Sequence, residues 1–299
     1  LSLVYSSRAG NGIAGMGWSL SGLSSIHRCP KTVAQDNLNT AVDYTIEDRL
    51  CLDGRRLMVV SGTYGQTNTV YRTEIDDFAR VTQLGGSIAP GTGTYFKVEH
   101  TSGLIDWYGY APSNAGLGDD GGRHTAAGAP GPLSWARVRR EDRDGNFIRY
   151  RFSVNPAFTG HGEHLIAGIT YTGKGTTQGT RLIDFNYENR NIGGGNDYGS
   201  SYLDGGLNLQ TQRLVRVVAY TTGAVKVRQY NLNYGNHSAY SKRSLLRSVQ
   251  ECGFVNGVAQ CKDATQFGWQ DGTPTFQFKQ LTIAGLPLPA PLPPPPSWG

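Results

Sequence analysis

The stretch Asp144-Gly145-Asn146-Phe147-Ile148-Arg149-Tyr150-Arg151-Phe152 decides how this chain is read. Behind an Asp-Gly pair, which supplies the positive φ angles of a tight turn, Phe147, Arg149 and Arg151 alternate with Ile148, Tyr150 and Phe152. Residues two apart share one face of a strand, so aromatic and β-branched residues at period two specify a strand and not a helix. Leu182, Asp184 and Asn186 alternate in the same way with Ile183, Phe185 and Tyr187. The turn signal recurs at Asn11-Gly12, Asp53-Gly54, Asp204-Gly205, Asn256-Gly257 and Asp271-Gly272. Each pair suits a two-residue hairpin loop. The longest helix candidates, Leu20 to Arg28 and Thr32 to Leu38, are short and broken by Gly22 and Pro30. The expectation is an all-β chain with little helix, its many hairpins forming a large β-sheet shell or a sandwich-like module.

Composition agrees. The 299 residues include 41 Gly, about double the average share, and 26 Tyr plus Phe, with only 17% charged residues. That balance suits strands better than helices. No run of 18 apolar residues occurs, so no transmembrane helix is expected. Leu1 to Tyr5 already read as a strand with no signal peptide before them, which marks the chain as a fragment of something longer. The net charge is +5, but the basic residues are scattered; their densest group, Arg137, Arg139, Arg140 and Arg143, is a weak case for nucleic acid. The length is ample for one large or two modest domains.

Seven of the 14 prolines fall in Leu286 to Gly299, which favours a stiff polyproline II spacer. A disordered terminus and an SH3 or WW ligand are the alternatives. All three place the folded β-rich domain at residues 1–285 and a linker or tail at 286–299. Two Gly-rich stretches, Ser113 to Pro132 and Asn189 to Leu207, read as long loops.

The cysteines are Cys29, Cys51, Cys252 and Cys261. With Asn256-Gly257 as a two-residue loop, Val255 faces Val258 and Cys252 faces Cys261. Directly opposed residues lie about 4.5 to 5.5 Å apart at Cα, within the range of a disulfide. Cys29 and Cys51 then pair by elimination. Both bridges require an oxidising compartment; four reduced thiols are the alternative. Neither pair has the spacing of a structural zinc site.

Three motifs invite chemistry. Gly10-Asn11-Gly12-Ile13-Ala14-Gly15 matches G-x-G-x-x-G, yet Met16-Gly17-Trp18-Ser19-Leu20-Ser21-Gly22 holds too many glycines for the helix a dinucleotide site needs. A glycine-rich turn is the better reading. His161-Gly162-Glu163-His164 combines two imidazoles and a carboxylate, but the histidines are three apart beside glycines and not four apart on a helix. Asp142-Arg143-Asp144-Gly145-Asn146 has alternating oxygen ligands but Phe147 where a calcium loop places glycine. No nucleophile–base pair, cofactor site or metal set stands out. This points away from an enzyme.

The motifs Leu1-Ser2-Leu3-Val4-Tyr5-Ser6-Ser7, Gly10-Asn11-Gly12, Gly15-Met16-Gly17-Trp18-Ser19-Leu20, Ile26-His27-Arg28-Cys29-Pro30-Lys31 and Asp48-Arg49-Leu50-Cys51-Leu52-Asp53-Gly54 carry a resemblance, continued by Tyr71 to Phe78, by Asp144-Gly145-Asn146 with Tyr150, and by Ser244 to Cys261. Over about residues 1 to 270 the chain resembles the SpvB-type N-terminal domain of bacterial virulence proteins and of the B component of insecticidal toxin complexes. That resemblance implies a β-rich module at the start of large secreted proteins, partnered by other toxin-complex subunits or by a C-terminal toxin segment. In toxin complexes the module helps form a hollow shell around the toxic segment. In SpvB a proline run joins it to an ADP-ribosyltransferase, and Pro293 to Pro296 look like such a linker. The transferase's Glu-x-Glu motif is absent. Tyrosine-rich segments such as Tyr230-Asn231-Leu232-Asn233-Tyr234 are similar in style to Rhs/YD repeats, without a strict period.

The leading expectation is therefore a non-catalytic scaffold or translocation module of a secreted toxin, with no cofactor. The runner-up is a carbohydrate- or protein-binding module using exposed aromatics such as Asp106-Trp107-Tyr108-Gly109-Tyr110. An enzyme built on His161, Glu163 and His164 is the third.

Overall fold

The computed structural model describes residues 1–91, 93–112, 121–153, 162–192, 197–203 and 205–270. The proline run 286–299, Asp271-Gly272, Asp204 and His161 lie outside the described residues. The first four strands are short: β1 (Ser2–Tyr5), β2 (Asn11–Gly12), β3 (Gly15–Met16) and β4 (Trp18–Ser21). Next come β5 (Ser25–Cys29), the one-turn helix α1 (Val33–Asp36), β6 (Arg49–Leu52), β7 (Arg55–Ser61), β8 (Val70–Thr73) and β9 (Arg80–Leu84). β10 (Tyr95–Glu99), β11 (Ile105–Tyr108), β12 (Arg123–His124) and β13 (Ser134–Glu141) come after them. The second half holds β14 (Asn146–Ser153), β15 (Leu165–Lys174), β16 (Arg181–Asn189), β17 (Gly199–Leu203), β18 (Gly206–Gln210) and β19 (Gln212–Thr221). It ends with β20 (Val225–Tyr234), β21 (Leu246–Val255), β22 (Val258–Cys261) and β23 (Thr265–Gln266).

Eight strands close on themselves in the order β5-β6-β7-β8-β9-β10-β11-β13, every pair antiparallel. Closure removes the exposed edges that an open sheet of this length would leave. A barrel of eight strands encloses just enough room for side chains. Ile26, Leu50, Leu57, Tyr71, Val81, Phe96, Val98 and Trp135 form its core, each fully buried. The barrel is thus a packed core and not a channel.

β13 is the branch point. Its first residues, Ser134 to Ala136, pair with β5, while Arg139 to Glu141 pair with β11 on one side and β14 on the other. From there a meander of long antiparallel strands, β14-β15-β16-β19-β20-β21, runs out as an open sheet. Period two places Ile148, Tyr150 and Phe152 on one face, where they join a second core with Ile169, Phe185 and Leu232. The β1–β4 hairpin packs Leu3 and Leu20 onto that core. Phe147 points to the opposite face and is still buried. The Arg139 guanidinium lies 3.9 Å from its ring centroid, and any Cβ at Gly173 would meet that ring at 2.4 Å. A glycine is therefore required there for the ring to lie flat.

The fold is all-β as expected, with the closed barrel added to the open sheet. Several local readings need correction. Asp53-Gly54 and Asn256-Gly257 form two-residue loops with both residues at positive φ, and Gly206 pairs with Leu203 around 204–205. Asn11-Gly12, by contrast, is itself strand, and the loop is Ile13-Ala14. At Asp144-Gly145 the loop has three residues: Asp142 N–H bonds Asn146 O, and only Gly145 takes positive φ. The Asp142 carboxylate accepts from the Asp144 and Asn146 backbones and holds the turn. The stretch Asn189 to Leu207 is not only loop, because β17 and the start of β18 form a hairpin inside it. Ala127 pairs with Leu207, which ties the stretch Ser113 to Pro132 to this hairpin. No helix among the described residues is long and apolar enough to cross a membrane, which says nothing of a β-barrel.

Candidate functional site

The segment singled out for acid–base chemistry lies between the barrel and the meander. Glu163 is buried and its carboxylate is fully committed: Thr211 N–H and Gln212 N–H donate to Oε1 at 2.7 and 3.0 Å, and the Thr211 hydroxyl donates to Oε2. It caps the start of β19, where backbone N–H groups would otherwise be orphaned. His164 is sandwiched between Phe152 and His124, with ring centroids 4.7 and 5.1 Å away and planes within 7° and 13°. Its Nε2 donates to Gly121 O at 2.6 Å. Burial first and the neighbouring His124 imidazole second lower its pKa to about 4, outweighing the Gly121 hydrogen bond, which raises it. His124 Nε2 lies 2.7 Å from Gly162 O and 2.9 Å from Asn208 Oδ1. Glu163 and His164 therefore point to different partners. The structure does not assemble them into a base and its orienting acid.

The G-x-G-x-x-G motif is held by a buried polar network. Arg190 donates to the Gly12 and Gln212 carbonyls and to Asn11 Oδ1. Asp197 accepts from Asn11 Nδ2 at 2.8 Å and from the Ser244 hydroxyl. The glycine at 12 is needed for close approach, since a Cβ there would sit 2.0 Å from Trp18 O. The motif is a turn clamped across distant segments, with no helix behind it.

Three residues of the basic group at 137–143, Arg137, Arg139 and Arg140, are also spent internally. Arg140 makes two bonds to the buried Asp106, at 2.7 and 2.6 Å, and Arg137 lies 3.5 Å away. Arg139 pairs with Glu141 at 2.9 Å. Burial pushes the Asp106 carboxyl up, but hydrogen bonds from His100 and Arg140 and the nearby guanidinium charges outweigh it and hold the pKa below its usual value. This is an ion-pair cluster and not a phosphate-binding stripe. Of the aromatics in 106–110, Tyr108 is core. Trp107 donates to Glu141, and Tyr110 packs edge-on against Tyr95 at 5.5 Å between centroids.

The structure holds the cysteines as two bridges. Cys252 and Cys261 face each other in the register derived from the turn, with Cα atoms 3.9 Å apart, closer than the general cross-strand spacing. Cys29 and Cys51 join β5 to β6 with Cα atoms 6.0 Å apart. Among the described residues no group of three or more His, Cys, Asp or Glu could hold a metal ion.

The clefts among the described residues include two that adjoin these elements. One, of about 440 Å³, has a mixed polar and apolar lining that includes His124, His164, Leu209, Gln210 and Gln212. The other, of about 600 Å³, is predominantly apolar and lies between the β1–β4 hairpin and the meander. Sequence reading missed the second. The signal was present in Tyr150, Ile169, Ile183 and Ala219, but only their register lines them up across four strands.

Neither a family model nor a curated protein matches the chain. Solved structures do. A TcdB2-TccC3-Cdc42 structure is similar with a TM-score of 0.68 and 16% identity, over 90% of this chain and 15% of that one. A Photorhabdus luminescens Tc holotoxin pore gives a TM-score of 0.68 over 90% of this chain and 14% of that one, again at 16% identity. The N-terminal domain of effector protein SpvB from Salmonella typhimurium strain LT2 gives 0.64 at 16% identity, over 85% of this chain and 93% of that domain. The chain thus spans about 15% of the length of the toxin-complex structures it matches. It has the fold of the SpvB N-terminal domain, a fold also present within the TcdB2-TccC3 structures.

Proposed function

We propose that the chain is a non-catalytic scaffold module of a secreted bacterial toxin of the SpvB or toxin-complex B type. The observation that carries this reading is the near-complete overlap with the SpvB N-terminal domain, 93% of which is covered. The candidate catalytic side chains support it, because Glu163 and His164 have their polar groups engaged within the fold. In this reading residues 1–285 form the module and 286–299 a proline linker toward an effector or further toxin segment. Its partners are other toxin-complex subunits or that segment, and both disulfides form after export.

The experiment assays the purified chain for NAD hydrolysis and ADP-ribosyl transfer, and weighs it intact without reductant. No turnover and no free thiols are expected. Turnover above a buffer blank overturns the scaffold role, and four free thiols in protein recovered from the medium overturn the bridges. The reading frame beyond Gly299 is expected to encode an effector or repeat-rich segment, and a solitary module there would overturn the carrier role.

A further inference from the structure

The Cys29–Cys51 bridge lies on the outer face of the barrel. In the β5–β6 register Cys51 is opposite His27 and Cys29 is opposite Arg49, and in the β6–β7 register Cys51 is also opposite Arg56. Directly opposed side chains share a face, with Cβ atoms about 4.5 to 5.5 Å apart. Their neighbours along the strands, Ile26, Leu50 and Leu57, point the other way and form the barrel core.

Helix α1 contributes its last two residues to this face. Asp36 accepts from Arg49 Nε at 2.9 Å and from Arg56 Nη2 at 2.6 Å, and Gln35 Oε1 accepts from Arg56 Nε and Nη2 at 3.2 and 2.8 Å. Asp36 is thus one carboxylate between two guanidiniums, which leaves positive charge beside the bridge. Arg49 is further engaged, donating Nη1–H to Glu47 O and lying 4.9 Å from the Tyr64 ring centroid. Arg56 is only 6% exposed, and its Nη1 is buried with no hydrogen-bond partner among the described residues. A buried donor left unsatisfied is costly, and a redox role is one of the reasons such a group persists.

Cys29 and Cys51 line a cleft of about 330 Å³ together with Gln35, Arg55, Arg56 and Ile75. Glu74 lines it too, and its carboxylate accepts from Gln35 Nε2, while Arg55 pairs with Asp77 at 3.2 Å. Burial lowers the pKa of His27 against the pull of Asp53, so the imidazole opposite Cys51 is neutral at pH 7. A thiolate is stabilised by a neighbouring arginine, and the more stabilised thiolate leaves faster in exchange. We propose that Cys29–Cys51 is an exchange site for a low-molecular-weight thiol such as glutathione, which attacks Cys29 while Cys51 leaves as a thiolate onto the free Nη1–H of Arg56.

The step balances. A thiolate RS⁻ forms a bond to Cys29 Sγ as the Cys29–Cys51 bond breaks, and Cys51 carries away the electron pair. A second RS⁻ attacks the RS sulfur, releasing RSSR and the Cys29 thiolate, so two thiols are oxidised and one bridge is reduced. The four β5–β6 residue pairs from Ile26–Leu52 to Cys29–Arg49 hold the strands together without the bridge. The second bridge is built differently. Cys252 is opposite Gln229 and Cys261, with the Asn231 amide 3.7 Å from its sulfur, so no cation stands opposite it in the ladder. Cys261 is exposed, which makes that bridge reachable but does not stabilise its thiolates. This inference rests on the bridge and its neighbours and goes beyond the toxin reading.

The test takes the full chain with both bridges closed, incubates it with glutathione at pH 7, quenches with N-ethylmaleimide and reads the peptides by mass spectrometry. Glutathione on Cys29 with N-ethylmaleimide on Cys51 is expected, in a chain whose near-UV circular dichroism is retained. Glutathione on Cys51 instead, adducts only at Cys252 or Cys261, no adduct, or unfolding on reduction overturns the proposal. The second arm follows alkylation of the reduced chain by iodoacetamide against pH. Cys51 should reach half its maximal rate at least about one pH unit below the ordinary thiol value of about 8.5, with Cys261 near that value. Arg56→Gln should raise the Cys51 midpoint by about one unit, about ten-fold less thiolate at pH 7, leaving Cys261 unmoved, whereas Arg56→Lys keeps it low. A wild-type midpoint near 8.5, or one that Arg56→Gln does not move, assigns Arg56 a purely structural role and overturns the proposal. If Arg56→Gln does not fold, the wild-type midpoint and Arg56→Lys decide.

Discussion

Single residues in this protein are spent on holding segments together. Glu163 accepts three hydrogen bonds at the start of β19 and stays buried. Glu163→Gln loses charge-assisted bonds and leaves one amide donor facing N–H groups, so it should cost about 2 kcal/mol, read from the urea midpoint. An unchanged midpoint would show that the caps are replaceable by water. His164 gives a pH signature. Its folded pKa lies near 4, below the unfolded value of about 6.5. The unfolded chain therefore binds more protons between those values, and stability falls as pH drops from about 6.5 to 4. The effect reaches at most about 3 kcal/mol for a shift of this size, and less because the ring is only partly covered. His164→Phe keeps the stack and should flatten the slope of Tm against pH in that window. An unaltered slope would assign the acid sensitivity to other groups.

At the scale of elements, hairpins do most of the building, and their turns are readable from dipeptides. Asn256-Gly257 and Asp53-Gly54 place both residues in the left-handed region, as a two-residue loop matched to strand twist demands. A Cβ at Gly257 would meet nothing, so Gly257→Ala should cost only the backbone preference, about 1 kcal/mol. Gly12→Ala should cost more, since its Cβ would collide with Trp18 O. Equal urea midpoints for the two variants would contradict this difference. Asn11-Gly12 escapes the dipeptide rule for the same reason. A dipeptide signals a permissive backbone, and Gly12 is there for close approach to Trp18 and for Arg190 to reach its carbonyl. Asp204-Gly205 signals the turn between β17 and β18, but the glycines, serines and asparagines around it hold too few apolar residues for the two strands to be read from the sequence.

The whole molecule is two cores, a closed barrel and an open meander, that share β13. A shared strand cannot unfold in one without losing ladder partners in the other. Far-UV and near-UV signals should therefore fall together in urea. Two separated transitions would show the cores to be independent. Trp135, fully buried in the barrel and edge-on to Phe96 at 5.2 Å, is the sharpest probe. Trp135→Ala should lower stability by about 3 to 5 kcal/mol and shift both signals equally, as tracked by circular dichroism.

Sequence alone determined that the chain is β, because period two in residues such as Ile148, Tyr150 and Phe152 is a local property of the backbone. It also determined the Cys252–Cys261 register, because a two-residue loop leaves no freedom in which residues face each other. It yielded the family likeness through its opening motifs. Tertiary structure alone decided that β5 to β13 close into a barrel, that Arg137 and Arg140 converge on Asp106, and that Glu163 and His164 face different partners. Those outcomes depend on pairings between residues far apart in the chain, such as β13 with β5, and no local pattern encodes which distant strand will complete a hydrogen-bond ladder.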